Sequence, residues 1–169
     1  AIESCRDLLE NFGGHTYAAG LSLKEENLDA FTQRFLKLAA DEIIPEQMTP
    51  QIDIDAVLDL QDINAKFMSE LKKMNPFGPD NQKPVFCSLG VKDYGTSKLV
   101  GKDLEHIKLE LIDDKSNTPI HGIAFGMHQH NTHIKNMKPF NICYTIEENT
   151  YNGNTSLQLM VKDIKENDI

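Results

Sequence analysis

The second half of the chain alternates between apolar and polar residues with a period of two. Four alternating stretches cover 85–91, 106–111, 140–146 and 157–161, and a shorter apolar run covers 120–125. Such alternation is typical of strands that have one face in a core and the other in solvent. Turn-forming residues separate several of these stretches, as at 114–117 and 152–154. Five short strands within about 85 residues predict a small closed barrel or a sandwich.

The first 45 residues show a helical period of three to four instead. The first predicted helix carries an apolar stripe of Ile2, Cys5, Leu9 and Phe12. Gly13 and Gly14 are expected to end this helix, because glycine readily adopts a left-handed cap. The segment Thr16–Leu23, rich in glycine and alanine, predicts only a short strand. A second helix of about twenty residues is indicated by the apolar spacing of Leu28, Phe31, Phe35 and Leu38.

Prolines at 45 and 50 mark a break between two parts of the chain. We predict a first domain at 1–45, a linker at 46–50 and a second domain at 51–169. The second domain should begin with a strand at Gln51–Val57 and a helix, followed by the irregular loop NPFGPDNQKP. The apolar face of this helix consists of Ile63, Phe67, Leu71 and Met74. The expected fold class is α+β, an α/β segment followed by five strands that form a barrel or a sandwich.

Charge and composition narrow the function classes. The 169 residues include 17 Lys and Arg against 26 Asp and Glu, a net charge of −9. This disfavours a uniformly basic nucleic-acid coat, although a local basic groove remains compatible with it. No apolar run of about 18 residues and no signal peptide are present, so we expect a cytoplasmic protein without a membrane partner. Three cysteines far apart fit reduced thiols better than a disulfide framework.

Gly13-Gly14-His15 and the small residues Ala18, Ala19 and Gly20 form the sharpest local feature. Two glycines at a helix end would let backbone N–H groups approach an anion such as phosphate, with His15 as a further donor. The alternative is a helix cap followed by a buried strand, with His15 hydrogen-bonded in the core.

Two other polar clusters have weaker chemical meaning. His121, His128, His130 and His133 could hold a metal, but no cysteine lies nearby and a solvated polar loop between barrel strands explains them better. Asp53 and Asp55 could bind Mg²⁺, or simply face solvent from one side of a strand. We therefore predict no metal site in this chain.

A diffuse set of basic and aromatic residues surrounds the first two barrel strands: Tyr94, Lys98, Lys102, His106 and Lys108. Barrels of the OB type bind single strands there, through a basic track and aromatic stacking. Solvated lysines are the alternative interpretation, because aromatic residues are few.

The residues also resemble a known family. NFGGHTYAAGLSL is similar to the GGH motif of the DHHA1 domain found in DHH-superfamily phosphoesterases. NPFGPDNQKPVF, LVGKDLEHIKLEL, HGIAF and YTIEENTYNGNTSLQLMVKDI resemble the barrel of the RecJ family of single-stranded-DNA-specific 5′→3′ exonucleases, in the family's order. The resemblance covers essentially the whole chain. It implies part of a DHHA1 domain followed by an OB-fold domain, from the C-terminal part of such an enzyme.

The resemblance implies where the chemistry lies. The family hydrolyses DNA in a DHH domain that holds Mn²⁺ or Mg²⁺, so this chain should contain no catalytic residue and no cofactor. Gly13, Gly14 and His15 are then expected to hold the phosphate beside the scissile bond. The expected partner is single-stranded DNA, with a helicase or single-strand-binding protein recruited by the whole enzyme. Asn152 and Asn154 of the last hairpin are further candidate DNA contacts. Relatives often have arginines around this hairpin, where this chain has Asn152 and Thr155 flanking Gly153-Asn154. That departure weakens the expected DNA contact of this hairpin.

Two alternatives remain open at this stage. One is a stand-alone module that binds single-stranded nucleic acid. The other is a phosphodiesterase of oligonucleotides or cyclic dinucleotides that shares the GGH motif, although such chains usually end soon after it, and nearly 150 residues follow Gly20 here.

Overall fold

The computed structural model describes residues 1–15, 18–116 and 118–167. These residues divide into two units, Ala1–Ile52 and Asp53–Ile169. The predicted linker, 46–50, and both of the prolines that marked it, Pro45 and Pro50, lie within the first unit.

The first unit begins with a short 3₁₀ helix, Glu3–Leu8, in which Cys5 is fully buried. The chain then becomes extended at Leu9, with φ −104° and ψ 145°. Strands β1 (Asn11–His15) and β2 (Ala18–Ser22) pair in antiparallel fashion, with Gly13 opposite Gly20. The predicted helix through Phe12 is therefore wrong, and Gly13 and Gly14 lie on a strand. Backbone pairing with β2 outcompetes the helix because two consecutive glycines weaken any helical turn.

The rest of the first unit is helical. A 3₁₀ turn at Glu25–Asn27 leads into α1 (Leu28–Glu42), and a 3₁₀ turn follows at Pro45–Met48. Helix α1 confirms the second predicted helix at 15 residues. Phe31 and Phe35, one helical turn apart, stack with their ring centroids 5.5 Å apart.

The second unit holds two helices and seven strands of one sheet. They are β3 (Ala56–Val57), α2 (Ala65–Lys72), β4 (Phe86–Asp93), β5 (Lys98–Val100), β6 (His106–Ile112), β7 (Ile120–Ala124), α3 (Asn131–Lys135), β8 (Phe140–Tyr151) and β9 (Asn154–Glu166). Helix α2 starts where the Asn64 side chain accepts hydrogen bonds from the N–H groups of Lys66 and Phe67. Short 3₁₀ turns occur at Leu60–Asp62 and His128–His130.

Five of these strands close on themselves. The order is β4-β8-β9-β7-β6, and pairing of β4 with β6 completes the ring. Strands β7 and β9 are parallel, whereas the other pairs in the ring are antiparallel. This arrangement confirms the predicted five-stranded barrel. The predicted strand at Gln51–Val57 is regular only at β3, which pairs with β4 outside the ring, and β5 was not predicted.

The barrel core follows directly from the alternation. On β6, Ile107, Leu109 and Leu111 are fully buried, whereas the intervening Lys108 is exposed. The turn between β8 and β9 uses Asn152 and Gly153, whose φ angles are 49° and 80°. This is the backbone that an Asn-Gly pair favours in a tight hairpin. The predicted turn at 114–117 includes Asn117, which lies outside the described residues.

The histidine-rich segment between β7 and β8 is not the solvated loop that the sequence suggested. It folds into a 3₁₀ turn and α3, and His133 is 9% exposed. No helix in the described ranges has both the length and the apolar content needed to cross a membrane.

Candidate nucleic-acid interface

The outward-pointing residues of β6 and its neighbours form a single surface on the barrel. Strand register places Lys98 of β5 beside Lys108 of β6, and Ile123 of β7 on the other side of Lys108. Met160 of β9 continues this row next to Ile123. We call this surface the β6–β7 face, and it consists of Lys98, Val100, His106, Lys108, Ile123, Phe125 and Met160.

The lysines of this region differ from six others in the same unit. Lys98, Lys102 and Lys108 are exposed, and within the described residues none of them has an ion-pair partner. Six other lysines of the unit pair with carboxylates: Lys72, Lys73, Lys83, Lys92, Lys115 and Lys135. The three unpaired ammonium groups can therefore bind an external anion without breaking an internal contact.

Phe125 supplies an apolar surface beside these charges. Its side chain is 55% exposed, and its ring contacts His106 edge-on, with centroids 4.9 Å apart. The N–H of Gly126 donates to Nδ1 of His106 at 3.0 Å, and Nε2 lies 3.2 Å from a Glu105 carboxylate oxygen. These contacts assign the ring hydrogen to Nε2 and hold the imidazole against Phe125. An exposed aromatic ring next to cations is suited to base stacking.

Sequence reasoning missed Phe125 because phenylalanine was assigned to the core. The alternation nevertheless contains the signal. Gly122 and Ala124 are the inward residues of β7, so Ile123 and Phe125 must point outward.

The carboxylate of Glu105 stabilises the loop that carries Lys102. Glu105 accepts a hydrogen bond from the N–H of Asp103 at 3.0 Å. The pKa of Glu105 lies below its ordinary value, mainly because its own backbone N–H donates to the carboxylate, with Asp103 adding to the effect. Gly101 and Leu104 have φ angles of 96° and 56°, and Leu104 is 54% exposed.

The structure brings together only some of the predicted interface residues. Lys98, His106 and Lys108 share the β6–β7 face, and Lys102 lies in the adjoining loop. Tyr94, 50% exposed, lies at the opposite end of β6, where its N–H donates to the carbonyl of Glu110. Asn152 is in the exposed β8–β9 turn and Asn154 begins β9, both beyond the point where β9 leaves β7.

The remaining polar clusters have structural partners. His130 and His133 both contact Glu166, at 2.7 and 3.2 Å. On β7, Nδ1 of His121 lies 3.6 Å from a carboxylate oxygen of Glu110 on β6. Asp55 accepts a hydrogen bond from the N–H of Val85. Across the part of the chain that the structure describes, no three His, Cys, Asp or Glu side chains are grouped so that they could hold a metal ion.

The GGH segment lies in the β1–β2 hairpin of the first unit. Gly13 and Gly20 face open space, since a Cβ built on either would meet nothing within 4 Å. A Cβ on Gly14 would lie 2.3 Å from the carbonyl oxygen of Ala18, so this position requires glycine. His15 is exposed and pairs with Ala18 in register. Thr16 and Tyr17 of the motif lie outside the described residues.

Comparison with known proteins identifies the second unit. The family model of the RecJ OB domain matches residues 54–163. The chain belongs to the RecJ OB domain family. In OB folds, oligonucleotides and oligosaccharides bind across strands two and three and the adjacent loops. Strands β6 and β7 are the second and third strands of this barrel, and the loop containing Lys102 precedes β6.

Full-length relatives of the family are much longer than this chain. The single-stranded-DNA-specific exonuclease RecJ of Bacillus subtilis is 29% identical over 164 residues, which cover 96% of this chain and 20% of that protein. The Escherichia coli exonuclease of the same name is 27% identical over 93% of this chain and 26% of its own length. The chain thus spans about a fifth to a quarter of these relatives.

A solved structure agrees with the fold. RecJ from Thermus thermophilus, crystallised with Mn²⁺, superposes with a TM-score of 0.75 at 21% identity, over 99% of this chain and 24% of that one. At this identity the similarity establishes the RecJ fold.

Proposed function

We propose that this chain is the substrate-binding portion of a RecJ-like 5′→3′ single-stranded-DNA exonuclease, and that its β6–β7 face binds single-stranded DNA. One observation carries the proposal: Lys98 and Lys108 lack internal ion-pair partners among the described residues and lie on the same face as the exposed Phe125. Lys108 is on the second strand of the OB barrel, Phe125 follows the third, and Lys98 is on β5, which pairs with the second. The relatives named as single-stranded-DNA-specific exonucleases support the nature of the ligand.

The proposed mode of binding combines ionic contacts to phosphates with stacking on a base. The ammonium groups of Lys98, Lys102 and Lys108 neutralise phosphates, and each contact releases counterions from the strand. Phe125 stacks on a base, which every base permits, so this face recognises single strands without reading sequence. A net charge of −9 opposes binding elsewhere on the molecule, so the affinity of the chain alone should be weak and salt-sensitive.

The test compares binding of a labelled deoxythymidine oligonucleotide across a salt series. Replacing Lys98 and Lys108 together by alanine should weaken binding and reduce the slope of log K against log salt by about 0.7 for each phosphate that is no longer neutralised. Phe125→Ala should cost about 1–3 kcal/mol at any salt concentration, as expected for one stacked base.

Lys66 and Lys138 provide a matched control. Both are exposed, neither has an ion pair within the described residues, and both lie outside the β6–β7 face. Their double alanine variant changes the net charge by the same amount and should retain most of the affinity and the salt slope. Equal losses of affinity in the two double variants would show that binding depends on total charge. That result would contradict the assignment of DNA binding to the β6–β7 face.

Hydrolysis is assigned to a part of the enzyme outside this chain. We expect Mn²⁺ or Mg²⁺ to act in a DHH domain, where two metal ions stabilise the attacking and leaving oxygens. The chain alone, incubated with single-stranded DNA and either metal, should release no nucleotides. Cleavage that copurifies with the chain would contradict this assignment.

The hairpin of the first unit is proposed to hold a phosphate of the strand. The residues concerned are Gly13, Gly14, His15, Ala18, Ala19 and Gly20. Open space above Gly13 and Gly20 leaves their backbone accessible to a ligand oxygen. Titration with a thymidine dinucleotide should shift the amide resonances of Gly13 and His15, and His15→Ala should weaken the response. Shifts that spread evenly over α1 would argue against a site in the hairpin.

A further inference from the structure

Two of the three cysteines lie directly opposite each other on neighbouring strands. Cys87 of β4 pairs in register with Cys143 of β8, and these strands are antiparallel. Residues directly opposite each other in such a pair place their side chains on the same face of the sheet. Their neighbours Phe86 and Tyr144 point into the core, so both thiols lie on the outer side of the barrel wall.

The backbone at this pair allows a close approach. The carbonyl of Cys87 accepts a hydrogen bond from the N–H of Leu58, toward β3 and away from β8. Since the N–H and C=O of one strand residue point to the same side, Cys87 and Cys143 form a non-hydrogen-bonded pair. Such pairs have Cα atoms about 4.5 Å apart, which lies within the range that a disulfide spans.

The surroundings leave the thiols covered but near the surface. Cys87 and Cys143 are 7% and 8% exposed, whereas Cys5 of the first unit is fully buried. Burial raises the pKa of both thiols, and for Cys143 the charges of Asp163 and Cys87 raise it further. The thiol of Cys143 lies 3.9 Å from the carbonyl oxygen of Asp163.

We propose that Cys87 and Cys143 form an oxidation site that closes a cross-strand disulfide between β4 and β8. With hydrogen peroxide as the oxidant, the thiolate of one cysteine of the pair attacks one peroxide oxygen, which gives a sulfenic acid and releases hydroxide. The thiol of the other cysteine then displaces the sulfenic oxygen as water. Two thiols and one peroxide thus give one disulfide and two waters. A thiol reductant reverses the reaction by disulfide exchange.

The test is a thiol count on the whole chain after peroxide treatment, quenching and denaturation. The count should fall from the three free thiols of the native protein to one. The mass should fall by two hydrogen atoms, and digestion should release a peptide pair joined through Cys87 and Cys143. Dithiothreitol should restore all three thiols. A chain that keeps three thiols, or that oxidises to separate sulfinic acids, overturns the proposal.

Single variants separate this site from general oxidation. Cys5→Ser should lose both of its remaining thiols to the disulfide, whereas Cys87→Ser and Cys143→Ser should form no internal link. Disulfides that include Cys5 would show that unfolding brings the thiols together, which also counts against the site. Circular dichroism of each variant before oxidation establishes that the fold is intact. Cys87 and Cys143 lie outside the β6–β7 face, so the outcome does not depend on whether that face binds DNA.

Discussion

A buried hydroxyl pair inside the barrel allows a quantitative test of the core. The hydroxyl of Tyr144, fully buried, lies 2.7 Å from Oγ of Ser88, and Ser88 lies 2.8 Å from the carbonyl oxygen of Leu58. A carbonyl can only accept, so the hydrogen of Ser88 is committed to Leu58. Tyr144 must therefore donate to Ser88. This order of donors makes the two partners unequal.

The inequality predicts different costs for two similar deletions. Tyr144→Phe removes one hydrogen bond but leaves Ser88 bonded to Leu58, which should cost about 1 kcal/mol of unfolding free energy. Ser88→Ala leaves the buried Tyr144 hydroxyl with no acceptor and the Leu58 carbonyl with no donor. One orphaned buried group costs about 1–3 kcal/mol, and Leu58 is half-buried, so about 2–3 kcal/mol is expected in total.

The double variant completes the comparison. Once Tyr144 is phenylalanine, the orphaned hydroxyl that made Ser88→Ala costly no longer exists. The double variant should therefore be less destabilised than the sum of the two single variants, by about 1 kcal/mol or more. Urea unfolding followed by circular dichroism measures all three differences. Equal costs for the single variants, or strictly additive costs, would refute the proposed donor order.

The same side chain predicts a change at alkaline pH. Burial raises the pKa of Tyr144 above its ordinary value, and the hydrogen bond to Ser88 only partly opposes this. The unfolded chain therefore releases the tyrosine proton first. Stability that Tyr144 contributes is complete below about pH 10 and is lost as the pH rises above it. The advantage of the wild-type chain over Tyr144→Phe should accordingly shrink in urea titrations above that pH.

Two further predictions concern residues near the proposed ligand sites, a glycine in the β1–β2 hairpin and a carboxylate in the loop before β6. Gly14→Ala should break the β1–β2 pairing, because its Cβ would lie 2.3 Å from the Ala18 oxygen, whereas Gly13→Ala should be tolerated; amide hydrogen exchange in the hairpin distinguishes them. Glu105, whose pKa is lowered by backbone hydrogen bonds, should hold its loop until the pH falls through that lowered value. In an NMR titration, the shift of its carboxyl carbon should change with a midpoint at lower pH than that of an ordinary glutamate. An amide shift at Asp103 that changes with the midpoint of an ordinary glutamate would contradict this.

The barrel could be predicted from the sequence because its strands obey a simple rule. One face of each strand is buried, so alternation at 106–111 or 140–146 marks both the strand and its inward residues. The β1–β2 hairpin lacks this signal, because Gly13, Gly14 and Gly20 have no side chains to distinguish two faces. Strand β5 and helix α3, three and five residues long, are too short for a period to be visible.

The candidate interface was only half predictable for a different reason. Lys98, His106 and Lys108 are polar residues on predicted strands, so sequence alone marks them as outward. The lack of an ion-pair partner at Lys98 and Lys108 is a tertiary property, because Lys83 and Lys115 look the same in sequence but pair with Glu147 and Asp59. Only the folded chain separates lysines that are already paired from those that can bind a ligand.

This separation resolves the conflict between an acidic chain and an anionic ligand. At 0.1 M salt the electrostatic range is about 10 Å, so a phosphate on the β6–β7 face responds mainly to the charges nearest to it. The net charge of −9 is summed over the whole chain, and carboxylates such as Glu148, Glu147 and Asp59 are paired with lysines outside the β6–β7 face. Net charge therefore limits long-range attraction and association rate, whereas the strength of binding at the face depends on Lys98, Lys108 and Phe125. An acidic protein can bind DNA on one face if unpaired cations lie there beside an exposed aromatic ring.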